Sequence, residues 1–145
     1  MNRQKTIGRM ISCIYRNFHI YMHNQLERYN IGSGQFHYLM LLYQKDGINQ
    51  ETLSEILKID KATSARAIKK LEETGYITRK RDKQDKRSYK IYLTKKAKKL
   101  RPTIKNILQE WTKQLLQDIT KEEEQHLLDI LERIAHNATT FKQSE

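Results

Sequence analysis

The chain contains few of the residues that cross-link, break or loosen a fold. Its 145 residues include one Cys, one Pro and five Gly. A lone Cys13 excludes an internal disulfide and fits a reducing compartment. The scarcity of Pro and Gly argues against long linkers and a loop-rich all-β fold, and no apolar run approaches the roughly 18 residues of a membrane span. We therefore expect a soluble, cytoplasmic and mainly helical protein that does not enter membranes.

Positive charge is abundant and concentrated in one part of the chain. There are 28 Lys and Arg against 17 Asp and Glu, a formal net charge of +11. Residues 58–99 hold 16 basic and 5 acidic side chains, so this stretch alone carries the whole excess. A solvated charged face is the simpler interpretation, but such a concentrated block favours an anionic partner such as nucleic acid.

No enzyme active site can be assembled from the sequence. It offers no Ser/His/Asp set, no phosphate-binding glycine loop and no paired-carboxylate cleft. We therefore predict a protein that is not an enzyme and has no cofactor.

Apolar spacings of three and four predict six helices. The third and fourth are short and close together, with Asn49 and Asp60 as their expected caps at Gln50–Leu57 and Lys61–Thr74. Because only residues 58–60 separate them, they must cross steeply, as in a helix-turn-helix. The predicted inward side chains are Leu53, Ile56 and Leu57 in the first and Ser64, Ala65, Ile68 and Leu71 in the second.

A β-hairpin is predicted directly after this pair. Gly75 ends the second helix, and residues 76–79 and 88–93 have β-branched or alternating apolar character. The basic, turn-like segment 81–87 joins them. Two strands joined by a cationic loop in this position predict a wing. An ordinary surface hairpin would not require so many cations at its tip.

The outer helices predict a homodimer. Their broad apolar stripes are too large to bury against a 60-residue module, and exposed apolar patches of that size are rare on monomers. A two-fold partner would cover them, although an intramolecular bundle is the alternative. We predict a mainly α fold with a small β-hairpin wing: an N-terminal dimerisation helix at 1–32, a winged helix-turn-helix at 33–94, and C-terminal dimerisation helices at 95–145.

From Ile48 to Ala97 the sequence resembles the MarR family of winged-helix transcriptional regulators. The residues that carry the resemblance are the run 71–79, the wing run 85–87 and the Leu93-Thr94 pair. The resemblance implies a dimer that binds a pseudo-palindromic operator in double-stranded DNA, usually as a repressor released by a small-molecule effector. Ser64 departs from the family pattern, which usually has a buried aliphatic residue there.

The resemblance also implies specific DNA contacts. Ala62, Thr63 and Arg66 match positions that face the major groove, and Arg87 matches a wing-tip arginine that enters the minor groove, where negative potential is concentrated. The full set of candidate DNA-binding residues is Lys61, Ala62, Thr63, Arg66, Lys69, Lys70, Arg79, Lys86 and Arg87, with Asp85 supporting the wing.

The release signal is open to several interpretations. A candidate effector pocket between the helical bundle and the winged module consists of Tyr15, Phe18, His37, Met40 and Tyr43, which could equally be core residues. Cys13 is expected to be a buried packing residue on the apolar stripe, with redox sensing as an alternative. The row His19, His23 and Glu27 could bind a metal, but no metal site is predicted.

A different class of function also fits the charge. The basic face of a winged helix could dock an acidic protein or an anionic surface instead of DNA. Binding to promoter DNA that weakens steeply with salt would distinguish the regulator from this interaction module.

Overall fold

The computed structural model describes residues 5–141 and contains, within that range, six α-helices and one small sheet. The predicted fold class, a mainly helical winged helix-turn-helix, is confirmed. Residues 1–4 and 142–145, at the ends of the two predicted dimerisation regions, lie outside the described residues. In chain order the elements are α1 (Ile7–Leu26), a 3-10 turn (Glu27–Tyr29), α2 (Phe36–Gln44), β1 (Ile48–Asn49), α3 (Gln50–Leu57), α4 (Lys61–Glu73), β2 (Ile77–Arg81), β3 (Tyr89–Leu93), α5 (Lys95–Leu115) and α6 (Lys121–Thr140).

The starts of α3 and α4 follow from local capping, as predicted. The Asn49 side chain accepts a hydrogen bond from the backbone N–H of Glu51, and Asp60 accepts one from that of Thr63. At the start of α6, Thr120 and Glu123 form a reciprocal capping box, with distances of 3.1 and 2.9 Å. These contacts satisfy N–H groups that have no partner within the helix.

The sheet is antiparallel with strand order β1-β3-β2. The long hairpin pairs β2 with β3 from Ile77 opposite Leu93 to Arg81 opposite Tyr89. Gly75 turns the chain from α4 into β2 with a φ of +84°, a conformation that residues with a Cβ rarely adopt. The two-residue strand β1 was not predicted, because two residues are too few to show an alternating pattern.

The chain divides into two compact units, residues 1–108 and 109–145. In the first unit, the end of α1, helices α2 to α4, the sheet and α5 share one hydrophobic core; Met22, Leu39, Leu53, Ile68 and Ile91 are completely or almost completely buried in it. In the second unit, α6 has no buried side chain. Among the described residues, no helix is both long and apolar enough to span a membrane.

Two predicted core positions are wrong. Ile56 is 52% exposed, whereas Ser54 on the same helix is buried. On α4, Ala65 is exposed, and Ala67 instead packs against the core. In both helices the buried face is rotated relative to the predicted one, so that in α4 it is centred between Ser64 and Leu71.

Candidate nucleic-acid interface

The first turn of α4 is held by a network of side-chain hydrogen bonds. Asp60 accepts from the Thr63 backbone N–H at 2.8 Å and from the Thr63 hydroxyl at 2.7 Å. The Arg66 guanidinium donates to that same hydroxyl at 3.1 Å. The hydrogen bonds from Thr63 lower the pKa of Asp60, which therefore stays ionised at neutral pH. The network orders the Arg66 side chain toward the start of the helix.

The rest of the outer face of α4 is cationic and open. Ser64, Ile68 and Leu71 face the core. The candidate DNA-binding residues of this helix are all exposed, namely Lys61, Ala62, Thr63, Arg66, Lys69 and Lys70. Small side chains near the N-terminus permit close approach of the helix to a groove, and the long cations beyond them can reach phosphates or guanine edges.

The wing loop is an ordered turn with cations at its tip. Asp85 accepts a hydrogen bond from the backbone N–H of Arg87 at 3.0 Å, and its own carbonyl accepts from that of Ser88 at 3.1 Å. Ser88 is buried and receives a further hydrogen bond from the Asn49 side chain at 3.0 Å. These bonds fix the loop backbone while leaving the side chains of Lys86 and Arg87 exposed.

Arg79 lies in a different environment from the other candidates. Its side chain is half-buried, with the guanidinium carbon 4.2 Å from the centre of the Tyr89 ring and the Nε atom buried without a hydrogen-bond partner. Its neighbours Lys80 and Arg81 are exposed. Stacking on an aromatic face favours a bracing role for Arg79. Arg81 was missed as a candidate; its place at the end of a basic strand beside the wing loop could have indicated it.

The candidate effector residues fall into two groups. Tyr15 and His37 belong to an aromatic cluster between α1 and α2 that includes His19, and Phe18 contacts Phe36 in the same region. Tyr43 lies elsewhere: its hydroxyl donates to the carbonyl of Ala97 on α5 at 2.5 Å, and burial raises its pKa to about 12. Met40 packs partly buried against the core. A pocket formed by all five stays a prediction.

Cys13 and the row His19, His23 and Glu27 lie on or next to α1. Cys13 is exposed, so the expectation of a buried thiol is wrong. Its apolar neighbours Met10, Ile11 and Ile14 on α1 are exposed as well. His23 and Glu27 line a cavity of about 230 Å³ together with Lys70 of α4, whereas His19 turns toward His37. Among residues 5–141, no group of three or more His, Cys, Asp and Glu side chains could hold a metal ion.

The histidine pair predicts a pH-dependent stability. Burial and the nearby His19 lower the pKa of His37 below its ordinary value of 6.5, and the two Nε2 atoms lie 3.5 Å apart. Because the unfolded chain then binds a proton more readily than the folded one, the free energy of unfolding should fall as the pH drops through about 6.5 and be unaffected above it. Denaturant unfolding between about pH 7.5 and about pH 5.5 measures this.

A pair of variants isolates the effect of His37. Replacing His37 with glutamine should flatten the pH dependence, whereas His126→Gln, at an exposed position of α6, should leave it as in the wild type. Equal slopes for wild type and His37→Gln would contradict the assignment.

Together, the two short crossing helices, the capped cationic α4 and the basic hairpin tip define a winged helix-turn-helix protein. The family profile described as MarR matches residues 31–89. The HTH-type transcriptional regulator YybA of Bacillus subtilis (strain 168) is 39% identical over 104 residues, covering 72% of this chain and 69% of that protein. The chain belongs to the MarR family of transcriptional regulators, and this membership implies DNA binding.

Solved structures agree over almost the whole chain. A MarR transcriptional regulator from Methanosarcina mazei Go1 superposes with a TM-score of 0.90 at 48% sequence identity, covering 92% of this chain and 96% of that one. A MarR-family protein from Listeria monocytogenes, crystallised with a 26mer DNA, has a TM-score of 0.86 at 32% identity, with 98% and 100% covered. The similarity therefore includes the outer helices as well as the winged module.

Proposed function

We propose that the protein is a cytoplasmic, non-enzymatic repressor that binds a pseudo-palindromic operator as a homodimer and is released by a small-molecule effector. The observation that carries the proposal is the exposed cationic face of α4 next to the ordered basic wing tip. The Listeria relative was crystallised with DNA, which supports DNA binding by this protein.

Unpaired apolar stripes support the dimer. On α1, Ile7, Met10, Ile11 and Ile14 are all exposed and recur with helical spacing. On α6, Leu127, Leu128 and Leu131 are exposed, and the helix buries no side chain within the chain. Exposed apolar surface of this kind is typical of interfaces. A two-fold partner covers it and sets two copies of α4 roughly 34 Å apart, one turn of duplex DNA.

A salt titration tests the proposal. A duplex is selected by the protein from a random library, and its affinity is compared with that of a scrambled duplex of the same composition at rising salt. The regulator should prefer the selected duplex and lose affinity steeply with salt, because phosphate contacts release counterions. Failure to enrich any duplex, with an acidic protein binding the α4 face instead, would favour the interaction module.

The wing tip has its own prediction. Replacing Arg87 with alanine should weaken binding to the selected duplex by about 1–3 kcal/mol, because the variant lacks the guanidinium that contacts the minor groove. The Asp85 contact is to the Arg87 backbone, so the loop should keep its conformation. Fluorescence anisotropy measures the affinity, and light scattering should show an unchanged dimer.

Lys83→Ala is the matched control, since it removes another exposed cation from the same loop. It should have a smaller effect that vanishes at high salt. If Arg87→Ala binds like the wild type, the wing does not enter the groove.

A further inference from the structure

A buried pair of hydroxyl groups joins α2 to α4. Tyr38 is 1% exposed and Ser64 is 0% exposed. Their hydroxyl oxygens lie 2.8 Å apart, and either can donate the hydrogen bond. Of the three buried side chains of α4, Ser64 is the polar one, and the other two are Ile68 and Leu71.

The chemistry of this contact is directional. The neighbouring core residues of α4, Ile68 and Leu71, are buried apolar side chains, and the hydrophobic effect that stabilises them is non-directional. A hydrogen bond, by contrast, weakens steeply when its angle or length changes. A buried hydroxyl without a hydrogen-bond partner lowers the free energy of unfolding, so the two hydroxyls must stay within hydrogen-bonding distance. The bond therefore favours one rotation and one position of α4 on α2.

The bond lies on the buried side of α4, in the same turns of the helix as the exposed residues Ala62, Thr63 and Arg66. Ser64 follows Thr63 and precedes Arg66 by two residues, so a rotation of α4 about its axis would move both side chains on the outer face. The hydroxyls of Tyr21, Tyr43 and Tyr76 instead donate to backbone carbonyls. Tyr38 thus differs from these three in contacting a side chain of α4.

We propose that Tyr38 is a positioning residue for DNA recognition: through Ser64 it sets the angle at which α4 presents Ala62, Thr63 and Arg66 to the bases. The inference rests on the proposed function, since it concerns how well the operator is distinguished from other DNA. It predicts a change in specificity at nearly constant phosphate binding.

The test measures the ratio of affinities for two probes: the duplex selected by the wild-type protein and a scrambled duplex of equal composition. Tyr38→Phe and Ser64→Ala should each lower this ratio by about three- to tenfold, as expected for the loss of one hydrogen bond. Affinity for the scrambled duplex should stay unchanged. The double variant should show no further loss than the more affected single variant, because all three lack the same bond.

Two matched controls separate positioning from stability. Tyr76→Phe removes the hydroxyl of a buried tyrosine that donates to the backbone carbonyl of Tyr29, and Ser54→Ala removes the hydroxyl of a buried serine that donates to Gln50 within its own helix. Both should keep the wild-type ratio even where the free energy of unfolding falls. Circular dichroism and light scattering establish that each protein is folded and dimeric during the assay.

Each outcome decides the proposal. The double variant leaves no hydroxyl unpaired. If Ser64→Ala alone does not fold, the affinity ratio of the double variant is the test of the proposal. An unchanged ratio in folded variants, an equal loss on both duplexes, or a double-variant effect equal to the product of the single effects overturns the positioning role. If the wild type itself enriches no duplex, the proposed function fails and the inference falls with it; if the wild type discriminates and the variants do so equally, only the inference fails.

Discussion

Replacing Leu131 with glutamate is expected to convert the protein into a monomer that binds its operator weakly. Leu131 lies in the middle of the exposed apolar stripe of α6, a helix with no buried side chain in the single chain. In the proposed dimer, a carboxylate there would be buried without a partner, which costs several kcal/mol. The two-fold symmetry introduces this cost twice.

Light scattering and anisotropy measure the two consequences. At micromolar concentration the mass should fall from twice the chain mass to near 17.4 kDa. Affinity for the selected duplex should fall by about 10²–10⁴-fold, because the second half-site is no longer bound intramolecularly. His136→Glu places the same charge at an exposed position of α6 about 140° around the helix from Leu131, and it should leave both properties unchanged. A variant that remains dimeric, or a wild type that is already monomeric, refutes the interface.

Arg66→Ala is expected to have the second-largest effect, through loss of base recognition. The guanidinium is ordered by its hydrogen bond to Thr63, so little conformational entropy is lost when it contacts a base. Its removal should cost about 1–3 kcal/mol in each half-site and relax the preference at the contacted base pair.

The comparison variant is Lys80→Ala, on the outward side of the wing strand β2. Loss of a phosphate contact should weaken binding evenly across sequences and reduce the salt slope by about 1 for each contact. Competition with duplexes that each carry one altered base pair separates the two patterns. If both variants show the same pattern, the division between base reading and phosphate contact is wrong.

Local signals in the sequence predicted much of this site. Asn49 and Asp60 were identified as caps because capping joins residues only two or three positions apart. The order of helices and the hairpin followed from periodicity. Ile56 and Ala65 were misplaced because an eight- or thirteen-residue helix with scattered apolar residues does not determine which edge of its face packs inward.

Contacts between distant residues were beyond the sequence pattern. The Tyr38–Ser64 bond spans 26 residues, and the partial burial of Arg79 depends on Tyr89 across the hairpin. Cys13 was expected to be buried because an apolar stripe was equated with a covered one. The stripe exists, but Cys13 and the apolar side chains of Met10, Ile11 and Ile14 on α1 are exposed.

Footprinting tests the central claim, that two copies of α4 and the wing occupy the grooves of duplex DNA. On the selected duplex, hydroxyl-radical cleavage should show two symmetric protected patches about one helical turn apart, with added minor-groove protection that disappears in Arg87→Ala. A single protected half-site, or uniform cleavage at concentrations that saturate binding, would contradict the account.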